Sequence, residues 1–203
     1  MARAVGILLF RDVEVLDFAG PLEVFSAASR VALRLAPDAS PPFDVFTVAV
    51  DAAPVHARAG LAVVPNHTFT DHPSIDVLVV PGGDVRAPLA CPATLRWLED
   101  RAAHAEVTAS VCTGAFLLGA CGLLDGRDVT THHEDLDGLA EACPTAQVHA
   151  GRRWIDSGAV VTAAGVAAGL DMSLHLVERF AGAGLAAATA RYVELDAYYR
   201  SSM

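Results

Sequence analysis

The chain has 203 residues, of which 53% are hydrophobic and 19% charged, enough for a sizeable core and too apolar for a disordered chain. Its formal net charge of −10, with no basic run, argues against a phosphate-neutralising surface, so no nucleic acid partner is expected. MARAVGILLF is too short for a signal peptide, and no segment reaches the roughly 18 uncharged apolar residues a membrane span needs, so no membrane partner is expected and the protein reads as soluble and cytoplasmic.

Short apolar runs alternate with helix-period stretches, the pattern of a mainly parallel sheet covered by helices on both faces. VGILLF (5–10) predicts a buried strand, and PLEVFSAASRVALRLA (21–36) an amphipathic helix with Pro21 in its first turn. FDVFTVAV (43–50) predicts the second strand, followed by a hairpin region over 53–69. IDVLVV (75–80) is the next strand and runs into Pro81-Gly82-Gly83, and 92–105 reads as a helix. VTASV (107–111) is a strand ending at Cys112, with a helix over 113–124 directly behind it. DVTTH, a short helix around 134–142 and the hairpin-like RRWIDSGAVVTAA are expected to complete the sheet, before closing helices over 166–181 and about 184–199. No repeat, linker or low-complexity segment interrupts this order, so residues 1–203 are expected to form a single α/β domain.

Four cysteines, at 91, 112, 121 and 143, have no CxxC spacing, and a disulfide framework is not expected in a chain with an ample core. Cys112 stands apart. A strand that enters a helix through so tight a turn puts the junction side chain on the carboxyl edge of the sheet, where doubly wound sheets bind ligands. The turn resembles the nucleophile elbow of the hydrolases with Cys in place of Ser. Free amides at the helix start favour negative charge, so a depressed Cys112 pKa is expected, with the Thr113 amide able to cradle an oxyanion. The competing reading is a buried structural cysteine.

Two further segments should reach the same edge. Gly82 and Gly83 permit close backbone approach and an amide aimed at substrate, although Pro-Gly-Gly alone is also an ordinary turn. Asp17, between Leu16 and Phe18, would be costly to bury ionised and is expected to hold a proton at least in part. From there it could donate to a thiolate and later deliver that proton, or it could cap the first helix.

Together LDFAGPLEVF, VLVVPGG, SVCTGAFLLGACGLLDG, VTTH and VVTAAGVAAGLDMSLHLV resemble the ThiJ/PfpI superfamily, most closely its isocyanide hydratase branch, over about residues 5–181. The pair SVCTGA and LDFAGP also resembles the sensor-like domains of AraC-type transcription regulators. The resemblance implies a flavodoxin-like three-layer sandwich, of the class I glutamine amidotransferase type, and commonly a homodimer. It implies that Asp17 contacts a nucleophilic Cys112, that Thr113 shapes the pocket, that the Gly83 amide helps bind an anion, and that His132 lies near the cysteine. Thr113 stands where many superfamily hydrolases have His, and His133 where Trp often follows the Thr-Thr-His motif. An amidotransferase His-x-Glu pair is absent, since His175 and Glu178 are three apart.

A thiolate suits attack on the soft carbon of an isocyanide. The expected reaction is addition of Cys112, protonation of that carbon by Asp17, and hydrolysis of the thioimidate to an N-substituted formamide. It needs a small-molecule substrate and no cofactor. Two rivals are a non-catalytic sensing module, for which the helix-turn-helix segment of the regulators is not expected within 203 residues, and a stress protein in which Cys112 is oxidised. His132-His133-Glu134-Asp135 is read as a solvated helix start and not as a metal cluster, because neighbouring residues do not face one point. Trp97, Trp154, Tyr192, Tyr198 and Tyr199 read as core or interface aromatics, and Gly165 and Gly169 as a packing pair within one helix.

Overall fold

A computed structural model describes residues 2–195. Chain order runs through strand β1 (Arg3–Leu8), helix α1 (Val15–Leu35), β2 (Phe43–Ala49), β3 (Val55–His56), a 3-10 turn at Arg58–Gly60, β4 (Ala62–Val63), β5 (His67–Thr68) and β6 (Val77–Val80). Then come α2 (Arg86–Leu89), α3 (Pro92–His104), β7 (Val107–Val111), α4 (Gly114–Ala120), β8 (Asp128–Val129), α5 (Leu136–Ala142) and β9 (Gln147–Val148). β10 (Trp154–Asp156), β11 (Val160–Ala163), α6 (Ala168–Ala181) and α7 (Ala183–Tyr192) complete the described chain.

The central sheet has seven strands in the order β10-β11-β7-β6-β1-β2-β5, all parallel except the β10–β11 hairpin. Every residue of β6 and β7 is buried, as a parallel strand covered on both faces requires. α1, α6 and α7 pack together on one face, and α2 to α5 form the opposite layer, giving the expected three-layer α/β sandwich. Strand order reverses between β1 and β6, so the crevice of a doubly wound sheet opens at their carboxyl ends. No helix among the described residues is long and apolar enough to cross a membrane.

Several boundaries differ from the sequence reading, each for a local reason. α1 starts at Val15, six residues before the expected start, because the Glu14 side chain accepts the Val15 N–H at 3.1 Å. Pro21 is therefore inside the helix, where it cannot donate to the Asp17 carbonyl. Asp17 is a first-turn residue and does not cap the helix. β8 of the DVTTH segment pairs with β9 in a separate two-stranded sheet and does not extend the central one. In the expected hairpin region β3 and β4 do pair, but β5 leaves them for the edge of the main sheet beside β2. The helix behind Cys112 ends at Ala120, where turns take over up to Gly126. Gly165 precedes α6, so it does not share a helix with Gly169. The last helix is described to Tyr192, and Tyr198 and Tyr199 lie outside the described residues.

Close backbone approach holds the loops after β6 and β7 against each other. A Cβ at Gly114 would lie 2.2 Å from the Val80 carbonyl oxygen and 2.9 Å from that of Pro81. Backbone of two adjacent strands cannot yield far, so Gly114→Ala should cost about 2 kcal/mol or more through overpacking. A clear fall in the thermal midpoint is expected; an unchanged midpoint would show that these loops can part freely.

Candidate active site

Cys112 occupies the turn between β7 and α4 with φ +56°, in the left-handed region that disfavours a side chain. Holding it there costs about 1 kcal/mol or more and requires support on all sides. That support is visible. Its N–H is shared between the carbonyls of Ala163 at 3.2 Å and Ala164 at 3.0 Å. Its carbonyl accepts from the Ala115 amide at 3.3 Å and from the Thr131 hydroxyl at 2.8 Å. Thr131, inside the VTTH motif, is therefore a supporting residue that its sequence position alone does not mark.

Asp17 approaches from the first turn of α1 and is fully buried. Its Oδ2 accepts the Gly82 N–H at 3.0 Å, while Oδ1 has no hydrogen-bond partner among the described residues. A Cβ on Gly82 would meet Thr113 N and Oγ1 at 2.6 Å and Asp17 Oδ2 at 2.9 Å, so only glycine lets these three converge. Burial pushes the Asp17 carboxyl up to about 7, with the Gly82 N–H opposing, Glu14 reinforcing, and Cys112 and Arg58 opposing.

The expectation of an acidified thiol is not met. Burial, reinforced by the Asp17 charge, pushes Cys112 up to about 12, and the Thr113 amide and hydroxyl pull it down only in part. The physical reason is the balance of magnitudes. α4 has only seven residues, a small source of N-terminal field, whereas Cys112 is only 8% exposed and its thiol feels the Asp17 carboxylate. At neutral pH the proton therefore resides mainly on sulfur, with Asp17 about half ionised.

The Gly83 amide is also engaged. It donates to Thr113 Oγ1 at 2.9 Å, and the same hydroxyl donates back to the Gly83 carbonyl at 3.0 Å. This reciprocal pair locks the Thr113 side chain, and the Thr113 amide is the larger of its two influences favouring negative charge on sulfur. Gly83 has φ +128°, and a bridge to Val13 draws it towards the start of α1.

A cavity of about 520 Å³ opens over the cysteine, and Gly83, Cys112, Thr113 and His132 line it, with Asp17 and Gly82 behind. His132 Nδ1 accepts from the Glu134 amide at 3.3 Å and lies 3.5 Å from Asp135 Oδ2, while the His133 ring sits 4.3 Å away. The ring fits against Gly165, where a Cβ would come within 2.2 Å of it. Its polar contacts on Nδ1 stay within its own loop. The lining also includes residues absent from the sequence reading: Phe116, Val166, and the pairs Glu14–Arg58 and Asp84–Arg86. Val166 has φ +43°, unusual for a β-branched residue. These wall residues come from separate elements and loops along the chain, and only the folded topology joins them.

Among the described residues no group of three His, Cys, Asp or Glu side chains could hold a metal ion. What the fold and site define is a doubly wound α/β protein with a buried thiol–carboxyl pair where its strand order reverses. The chain belongs to the DJ-1/PfpI family, whose pattern matches residues 3–179. It is 36% identical to the isonitrile hydratase of Pseudomonas putida over 202 residues, 98% of this chain and 79% of that protein. The crystal structure of a ThiJ/PfpI family protein from Pseudomonas syringae superposes with a TM-score of 0.84 at 32% identity, covering 97% of this chain and 76% of that one. The HTH-type transcriptional regulator GbdR of Pseudomonas aeruginosa is 28% identical over 92% of this chain, which spans 49% of that protein.

The buried carboxyl has a consequence for stability. Because the Asp17 pKa is raised from 3.8 to about 7 on folding, protonated Asp17 favours the folded state, and that contribution is present below 3.8 and lost as pH rises through 7. Asp17→Asn keeps an acceptor for the Gly82 amide and removes the ionisation. The melting temperature of Asp17→Asn relative to the parent should therefore be higher at pH 8 than at pH 4, as differential scanning calorimetry would report. A difference independent of pH would mean that Asp17 titrates as if exposed.

Proposed function

We propose that this chain hydrates an isocyanide to an N-substituted formamide, with Cys112 as nucleophile and Asp17 as proton carrier. The observation that carries the reading is the mutual influence of a buried thiol and a buried carboxyl at the floor of an open cavity. The 36% identity to an isonitrile hydratase over nearly the whole chain supports it.

The raised pKa values set the order of events. Ionised Asp17 accepts the proton of the Cys112 thiol as sulfur bonds to the terminal carbon of R–NC, and then passes it to that carbon. The product is a neutral thioimidate, R–N=CH–S–Cys112. Water adds to its carbon, one proton going to nitrogen and giving R–NH–CH(OH)–S–Cys112. The C–S bond then breaks, the hydroxyl proton returns to sulfur through Asp17, and R–NH–CHO leaves. The Thr113 amide stabilises charge on sulfur during addition and expulsion. No redox step or bound cofactor enters this sequence.

A second reading, a ligand-sensing domain, draws support from the likeness to GbdR, which a chain of this length matches over about half. In that case the cavity binds without turnover. The oxidative reading is weaker, since a thiol raised to about 12 has little of the thiolate that peroxide attacks.

Incubation with a simple aryl isocyanide should yield the formamide, detected by chromatography and mass spectrometry. Cys112→Ala should abolish it, and Asp17→Asn should lower kcat/KM by about a hundredfold or more. Formamide from Cys112→Ala, or none from the parent chain with any isocyanide, would overturn the hydratase reading. In the parent, kcat/KM should fall as pH drops through about 7, because protonated Asp17 cannot take the thiol proton.

A further inference from the structure

Asp17 is not the only charged group at the back of the cavity. Glu14 caps α1 and binds the Asp17 amide through its carbonyl at 3.2 Å, so its carboxylate is fixed at the same helix turn. Arg58 arrives from the 3-10 turn after β3. Its amide donates to the Val13 carbonyl at 3.0 Å, and its Nη1 lies 3.3 Å from Glu14 Oε2. Both side chains line the cavity that holds Cys112, with Arg58 54% and Glu14 26% exposed.

We infer that Glu14 and Arg58 are positioning residues that together govern when Asp17 can accept the Cys112 proton. The inference rests on the reading of Cys112 and Asp17 as the reacting pair. Neither residue needs to touch substrate. Glu14, three residues from Asp17 on the helix start, presents a negative charge that holds the proton on Asp17. Arg58, drawn in by Glu14, presents a positive charge that releases it. The directions of their influence on Asp17 agree with this placement. Their opposition means that a local rearrangement, such as a substrate displacing the Arg58 side chain from Glu14, alters the proton balance of the pair beneath.

Other charges near the pair are otherwise committed or more remote. Asp84 is held by Arg86, and its carboxyl is pulled down to about 2. Asp12 pairs with Arg11 at 3.7 Å, and on α6, which packs against α1, buried Asp171 pairs with Arg153. Asp135, beside His132, raises the Cys112 pKa and is a smaller influence than Asp17.

The test compares the parent chain with Glu14→Gln, Arg58→Gln, Arg58→Lys and Asp17→Asn. The first readout is the pH dependence of iodoacetamide labelling at the Cys112 peptide, resolved by mass spectrometry from Cys91, Cys121 and Cys143. The second is formamide production over the same pH range. Labelling of the parent should rise through about pH 7, and this step should vanish in Asp17→Asn. Arg58→Gln should move the step to higher pH by about half a pH unit and Glu14→Gln to lower pH by a similar amount, as charges near a partly solvated site do. Arg58→Lys should stay close to the parent.

Gln at position 14 retains an acceptor for the Val15 amide, so that variant keeps the helix cap and decides the direction even if Arg58→Gln folds poorly. Steps that move the same way or not at all, or a step that survives in Asp17→Asn, would overturn the inference. Opposite shifts in labelling without any formamide would uphold it and remove the hydratase reading instead.

Discussion

Two groups that become anionic on losing a proton lie side by side in a buried pocket, and the low dielectric around them resists charging both. Asp17 and Cys112 therefore behave as one titrating unit that gives up its first proton near neutrality and its second only in strong alkali. The rest of the site is arranged around that constraint. The Gly82 amide steadies the carboxylate, the Thr113 amide steadies the sulfur, and the Glu14–Arg58 pair sits where it can bias the balance. A chain with −10 net charge has placed one of its acids where ionisation is costly, and the proposed proton-transfer role would account for that cost.

The backbone answers to the same constraint. An ordinary conformation at Cys112 would carry the side chain along the strand, whereas the left-handed turn lifts it to the sheet edge. The strain is contained because hydrogen bonds from β11, from the segment after it and from Thr131 hold both polar groups of the residue. The neighbouring parallel strands set these contacts, so the packing of the sheet core against α4 and α6 positions the sulfur. Here the core acts directly on chemistry.

Much of this was legible in the sequence. The all-apolar β6, the β-rich VTASV run with its abrupt passage to the TGAFLLGA helix, and Asp17 between two bulky apolar neighbours foretold the sheet, the turn and a carboxyl reluctant to ionise. Three things were not legible. The start of α1 depends on Glu14, which caps through its side chain but is not a residue type that marks a helix start in sequence. The thiol pKa moved opposite to expectation because helix position is visible in sequence, while the depth of burial is a property of the whole packed molecule. The engagement of the Gly83 amide with Thr113 joins residues 30 apart, and no periodicity reports such a bond.

The contact between Gly114 and the carbonyls of Val80 and Pro81 has a wider meaning. Main chain meets main chain there, and the one cavity-facing side chain that also ties the two loop ends, Thr113, bonds only to the Gly83 backbone. Phe116, Val166 and Arg86 can then be exchanged without re-aiming the sulfur. A frame built that way lends itself to new ligands, since recognition can drift while the reactive centre stays registered to the sheet. One architecture shared by a hydratase and by regulators is what such decoupling allows.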